Sequence, residues 1–181
     1  MDKKELRKQI KEKINKMTAA QKELQSLRIC EKIVATPEWE SAENLLLYAA
    51  LPDEVDLGTL FVSALSLGKT IWLPVVDGEN LRIRKYEEGK LLVSEGFHIV
   101  EPTEESTELL PCDFGKIDLA IVPGRAFTME GDRMGRGKGY YDRFLSQTSC
   151  KTFGIGFDCQ IVETIPLEQW DKKMDRIITI G

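Results

Sequence analysis

Five short apolar runs, separated by polar or helix-patterned segments, constrain this chain more than any other feature. They are NLLLYAAL (44–51), TIWLPVV (70–76), IDLAIVPG (117–124), CKTFGIGFD (150–158) and RIITI (176–180). Continuous apolar runs such as the first three read as strands covered on both faces, the arrangement of parallel sheets. Between them the period changes. Leu6, Ile10, Ile14 and Met17 recur at helical spacing, so residues 2–17 read as an amphipathic helix with a basic outer face. Thr18 and Gln21 have the form of a capping box opening a second helix through Leu24, Leu27 and Ile33 that stops near Pro37. GTLFVSALSLG (58–68) is a third helical pattern ending in Gly68, and YYDRFLSQ (140–147) a short fourth. LRIRKYEEGKLL (81–92) alternates in polarity and predicts an exposed strand pair, whereas LPDEVD and EPTEESTE read as a turn and an acidic surface loop.

Strands alternating with helices predict a single α/β domain over residues 1–181: a three-layer α/β/α sandwich, with a mostly parallel, Rossmann-like sheet and helices on both faces. At 181 residues such a domain buries roughly two-thirds of the surface its unfolded chain exposes. Ligands of such sheets bind beyond the carboxyl ends of the strands.

Charge narrows the function classes. The net charge is −5, but residues 1–16 hold seven bases and three acids, leaving a basic arm of +4 on a body of −9. That balance argues against general nucleic-acid binding. The amino-terminal MDKKELRKQ has no apolar core of a secretory signal, and no apolar run approaches the roughly 18 residues needed to span a membrane. A cytoplasmic protein with no membrane partner is expected, acting as a monomer. Cys30, Cys112, Cys150 and Cys159 show no CxxC spacing and are given no role; His98, the single histidine, lies in an apolar stretch and reads as a packed residue. Chemistry must therefore rest on carboxylates, lysines, tyrosines or backbone.

Such groups converge in GDRMGRGKGYYDRFL (131–145). This segment follows the buried run DLAIV and opens a helix, which puts it at the ligand edge of the sheet. Glycines at 135, 137 and 139 let backbone N–H groups approach an anion, and Arg133, Arg136 and Lys138 surround it with positive charge. Asp142 suits the first turn of the helix, and beside a phosphate it suits magnesium, which nucleotide sites hold through one or two carboxylates. The segment is neither a P-loop, because Lys138 is followed by Gly139, nor a dinucleotide fingerprint, because its spacing is GxGxG. Taken alone, GRGKG also reads as a flexible loop or an RNA-contacting patch.

The run DLAIVPGRAFTMEGDRMGRGKGYYDRFL, with KKELR, LPDEVDL and MDRIIT in support, resembles the 5-formyltetrahydrofolate cyclo-ligases, or methenyltetrahydrofolate synthetases. The likeness covers the whole chain; Thr128 and Leu57 depart from residues common at their positions. It implies ATP- and Mg²⁺-dependent closure of 5-formyltetrahydrofolate, free or polyglutamylated, to 5,10-methenyltetrahydrofolate, with ADP and phosphate released. By the same resemblance, ATP contacts fall to Lys3, Arg7, Arg133, Met134, Gly135, Arg136, Gly137, Lys138, Gly139, Tyr140 and Tyr141, so that the basic first helix (1–17) serves the ATP site. Folate contacts fall to Ala49, Glu54 and the Arg136–Tyr140 segment (Gly137, Lys138 and Gly139 included), catalytic roles to Arg136, Lys138 and Tyr140, and magnesium to Asp142 and Asp175. Taken by themselves, Lys3 and Arg7 are solvated bases, Glu54 is a loop acid, Asp142 satisfies its helix dipole, Asp175 pairs with Lys172 or Arg176, and Trp72 is a core aromatic. The competing functions are a nucleotide- or RNA-binding module using GRGKGYY, a catalytically inactive folate-binding relative, and a sugar-phosphate isomerase or acyl-CoA enzyme on a similar sheet.

Overall fold

A computed structural model describes residues 2–93 and 100–181; His98 lies outside the described residues. The amino-terminal helices form where their local signals lie. Asp2 caps α1 (Lys3–Lys16) by accepting from the Glu5 N–H, and Leu6, Ile10 and Ile14 face the core. Thr18 and Gln21 close the capping box of α2 (Ala19–Val34), an interaction of about 1 kcal/mol. A third, unpredicted helix, α3 (Pro37–Ser41), follows, started by the fixed φ of Pro37 and the Thr36 side chain, which accepts from the Trp39 N–H.

The sheet begins with β1 (Asn44–Leu46), the short regular part of NLLLYAAL. After α4 (Gly58–Ser66), β2 (Thr70–Asp77) turns at Asp77-Gly78 into β3 (Asn80–Lys85). The expected strand pair within 81–92 is corrected here. Its second half is β4 (Leu91–Val93), which pairs antiparallel with β5 (Val100–Pro102) in a separate ribbon. β3 instead lies between β2 and β6 (Glu108–Leu109), with Ile83 fully buried. Pairing chooses partners by three-dimensional position, which alternation along one segment does not encode. EPTEESTE is accordingly not all loop, since its ends enter β5 and β6.

Three further strands complete the sheet. β7 (Leu119–Pro123) leads into a small hairpin of β8 (Ala126–Phe127) and β9 (Arg133–Met134), then α5 (Tyr140–Leu145), β10 (Lys151–Ile155) and β11 (Arg176–Ile178). The seven-stranded order is β11-β10-β7-β1-β2-β3-β6. The first five are mutually parallel and β3 is antiparallel to its neighbours, so the sheet is mixed and mostly parallel, within one α/β domain.

Alternate strand residues reach opposite faces. Leu45, Ile71, Leu119, Ile121, Phe153 and Ile155 pack with Leu6, Ile10, Ile29, Ile33 and Leu60 of α1, α2 and α4. Leu46, Trp72, Ala120, Val122 and Ile177 pack with Phe144 and Leu145 of α5 and with Phe114 of a 3₁₀ turn. Each fully buried Leu, Ile or Phe contributes roughly 1.5–3 kcal/mol by leaving water. Trp72, with its indole N–H donated to Asn44 Oδ1 at 3.0 Å, is such a core residue. The architecture leaves the segments after β1 and β7 side by side at the carboxyl edge.

Candidate functional site

The chain leaves β7 at Pro123-Gly124, makes the β8–β9 hairpin, and returns to the same edge as the Gly135–Gly139 loop. Sequence reading places this loop directly after the buried strand; the intervening hairpin is what carries it back over the strand ends. Gly137 and Gly139 have φ of +105° and +70°, values that side chains with a Cβ rarely adopt. Gly139 is also the residue from which α5 starts.

The loop is fastened from two sides. Arg7 of α1 donates from Nε to the Gly135 carbonyl at 2.9 Å, and its guanidinium lies 3.5 Å from where a Cβ on Gly137 would sit. Arg136 donates to Glu54 Oε1 through Nη2 (2.9 Å) and Nε (3.1 Å), and also to Asp53, which Arg125 binds in turn. Burial works to raise the Asp53 carboxyl, but Arg136 and Arg125 outweigh it and hold that group below the usual carboxylate range. Burial likewise works against the Arg136 cation, and its two carboxylate partners leave it above its ordinary value. Tyr140 donates its hydroxyl to the Gly78 carbonyl at the β2–β3 turn (3.2 Å), and Arg143 reaches the neighbouring Glu79 carbonyl. Lys138 is exposed and makes no side-chain hydrogen bond or ion pair among the described residues.

Behind the loop, Arg133 is 4% exposed, donates to the Pro123 carbonyl (2.9 Å) and Asp142 Oδ1 (3.2 Å), and lies over the Tyr141 ring. Burial pulls the guanidinium below its ordinary value, and Asp142 offsets part of that. Tyr141 is pushed up by burial and by the Glu54 charge. Opposite, Lys3 binds Asp171 (2.6 Å) and Glu168 (2.7 Å). Burial opposes the Lys3 ammonium, yet those two acids raise it above its ordinary value.

These groups enclose a cavity of about 210 Å³ whose walls include Lys3, Arg7, Glu54, the whole Arg133–Asp142 segment, Trp170 and Asp171. A second cavity of about 630 Å³, between α2 and the 50–59 segment, shares Glu54 with the first. The structure thus brings together Lys3, Arg7, Glu54, Arg133–Tyr141 and Asp142. Ala49, half-buried after β1, lines neither cavity. Asp175 is not brought to the wall with Asp142: its Oδ2 accepts from the Thr152 N–H (2.8 Å) and hydroxyl (2.9 Å) at the amino ends of β10 and β11. Neither Lys172 nor Arg176 is its ion partner; Arg176 pairs with Glu38. Asp171, four residues earlier, reaches the cavity instead.

Sequence reading misses Asp53, Arg125, Asp171 and Trp170. Asp53 lies inside the LPDEVD turn, adjacent to an expected ligand; the others carry no local signal. Burial pushes the Cys30 thiol up to about 12 and raises those of Cys150 and Cys159 as well. Among the described residues no group of three or more His, Cys, Asp or Glu residues is arranged for a metal, and no helix is long and apolar enough to cross a membrane.

Comparison with known proteins bears on the whole chain. The model of the 5-formyltetrahydrofolate cyclo-ligase family matches residues 1–180. The mouse 5-formyltetrahydrofolate cyclo-ligase is 27% identical, with 96% of this chain and 91% of the mouse protein covered. The solved 5,10-methenyltetrahydrofolate synthetase of Aquifex aeolicus superposes with a TM-score of 0.84 at 32% identity, covering 98% of this chain and 89% of that one. The synthetase of Mycoplasma pneumoniae gives 0.81 at 25% identity, with both chains covered in full. Sequence, fold and the cation-lined loop at the sheet edge lead to one conclusion: the chain belongs to the 5-formyltetrahydrofolate cyclo-ligase family, whose members are ligases.

Proposed function

We propose that the glycine-loop cavity takes Mg-ATP, that 5-formyltetrahydrofolate lies against Glu54, and that the chain closes it to 5,10-methenyltetrahydrofolate with release of ADP and phosphate. The observation that carries this reading is the position of Glu54. It lines both cavities and is bound to Arg136 of the glycine loop, so one side chain stands where a folate and a triphosphate site would meet.

The chemistry follows from the leaving group. A formamide oxygen does not leave as such. Attack of that oxygen on the γ-phosphorus expels ADP and turns it into a phosphate ester of an imidate; N10 then bonds to the formyl carbon and gives up its proton to water or the leaving phosphate, the C–O bond breaks, and phosphate departs. Phosphoryl transfer asks the protein for positioning and charge neutralisation, with no protein nucleophile. Arg7 and Arg136 border the loop, Lys138 is free to reach a transferring phosphoryl group, and Arg133 holds the loop from behind. Glu54 accepts hydrogen bonds from pterin N–H groups once Arg136 turns toward phosphate, and Tyr140 borders both ligands.

Magnesium fits one wall. Asp142 and Asp171 both line the cavity, and each has one carboxylate oxygen engaged by Arg133 and Lys172 N–H, or by Lys3 and Glu168 N–H, with the other oxygen unpaired among the described residues. Two carboxylates completed by phosphate oxygens and water are a donor set suited to Mg²⁺, which would neutralise charge on the β- and γ-phosphates. We therefore assign the metal to Asp142 with Asp171 in place of Asp175. The RNA-binding reading has less support, because Lys3, Arg133 and Arg136 are already paired with acids around a cleft and form no open basic stripe.

The test mixes purified protein, 5-formyltetrahydrofolate and Mg-ATP, following the near-ultraviolet absorbance of the methenyl product and phosphate release. Both signals should rise together and vanish without ATP or after chelation of magnesium. Folate binding with neither signal would make the chain an inactive relative.

A further inference from the structure

Trp170 is the aromatic side chain on the cavity wall for which, among the described residues, neither packing nor hydrogen bonding accounts. Of the three tryptophans, Trp39 and Trp72 are 1% and 7% exposed, whereas Trp170 is 58% exposed. Leaving an indole in water forgoes one of the largest hydrophobic contributions a residue can make. Its exposure is held in place. Trp170 sits at the tip of the Glu168–Asp171 turn, closed by Asp171 N–H to the Glu168 carbonyl (3.0 Å) and Glu168 N–H to Asp171 Oδ2 (2.8 Å). Lys3 binds both acids of the turn and fastens it to α1. The other aromatics of the cavity are occupied: Tyr141 lies under Arg133 and Tyr140 under Arg143. Among the described residues Trp170 has no aromatic or cationic partner.

We infer that Trp170 is the stacking platform for the base of the bound nucleotide, a planar purine lying against the indole while the triphosphate runs to the glycine loop. This rests on the reading that the cavity takes ATP, and it adds a recognition element from a turn that carries no glycine-loop or basic signature. Lys3 and Asp171 join the two ends of the nucleotide site, since the turn that presents the indole also carries the second metal carboxylate. Stacking of a base on an aromatic side chain is worth about 1–3 kcal/mol, so removing the indole should weaken nucleotide binding about 5- to 150-fold.

The experiment compares wild type, Trp170→Ala and Trp170→Phe in the full chain, measuring the Kd for Mg-ATP by calorimetry and, at saturating ATP, the Michaelis constant for the folate substrate. The expected result is an ATP Kd raised at least five-fold in Trp170→Ala, largely restored in Trp170→Phe, with the Michaelis constant for folate unchanged. Because Trp170 is the exposed one of three tryptophans, acrylamide quenching of wild-type fluorescence should also fall when ATP binds. An unchanged ATP Kd in Trp170→Ala overturns the inference alone. Equal loss of ATP and folate affinity, with no rescue by Phe, assigns the residue to holding the turn and likewise overturns it. Absence of ATP binding by the wild-type protein would remove the ATP reading itself.

Discussion

Asp142→Asn separates the electrostatic role of this residue from its place in the fold. The wild-type carboxylate faces an almost completely buried Arg133 guanidinium at 3.2 Å. At an effective dielectric near 20, a unit pair at that separation is worth about 5 kcal/mol. Part of this is recovered on mutation, because the carboxylate's own desolvation, of several kcal/mol, disappears with its charge. Asparagine Oδ1 can still accept from Arg133 and from the Lys172 N–H, and the Pro123 carbonyl and Tyr141 ring remain beside the guanidinium. The net cost is therefore about 2–3 kcal/mol, below the roughly 3–5 kcal/mol expected when a buried partner is deleted outright, as in Asp142→Ala. For a domain of this size that is a fall in Tm of about 4–12 °C. Urea unfolding followed by circular dichroism measures it, with the m-value unchanged. A double-mutant cycle with Arg133→Met should show coupling of about 2 kcal/mol. If Asp142→Asn unfolds within about 0.5 kcal/mol of wild type, the carboxylate is not what stabilises the buried cation, and its only work is at the ligand.

Lys138→Ala is the converse case: with its side chain exposed and unpaired among the described residues, the unfolding free energy should stay within about 0.5 kcal/mol of wild type, while turnover in the methenyl absorbance assay falls roughly 10- to 100-fold. Near-normal turnover would remove Lys138 from the phosphate contacts. Asp53→Asn carries a pH signature. Since Arg136 and Arg125 hold the Asp53 carboxyl below its usual range against the opposing effect of burial, its stabilisation is complete above the unfolded value near pH 4 and is lost as pH falls through the lower folded value. Urea midpoints of wild type and Asp53→Asn should differ by a constant amount between about pH 5 and 8 and converge below about pH 4. A gap that widens on acidification would contradict the pairing.

What the sequence determined by itself is whatever depends on neighbours within a turn or two. The α1 and α2 boundaries follow from Asp2 and the Thr18–Gln21 box, the β2–β3 turn from Asp77-Gly78, and the α5 start from the glycines before Tyr140. The glycine spacing and charge of the Gly135–Gly139 loop were legible for the same reason: both are local, and a buried strand upstream places them at the carboxyl edge of a parallel sheet. Specific residue roles, by contrast, entered through family resemblance.

Only the tertiary structure decided which partners meet. Residues 81–92 carry strand patterning, yet β3 and β4 belong to different sheets, because pairing is chosen by the elements that reach each edge. Asp171 and Asp175 are equivalent in composition and stand four residues apart, but one joins Lys3 at the cavity and the other closes the start of β10 through Thr152. The same holds for Asp53, whose charge is set by two arginines more than seventy residues away in sequence. Contacts between residues so distant along the chain form through packing of whole elements, so spacing records that a carboxylate is present and the fold determines what it faces.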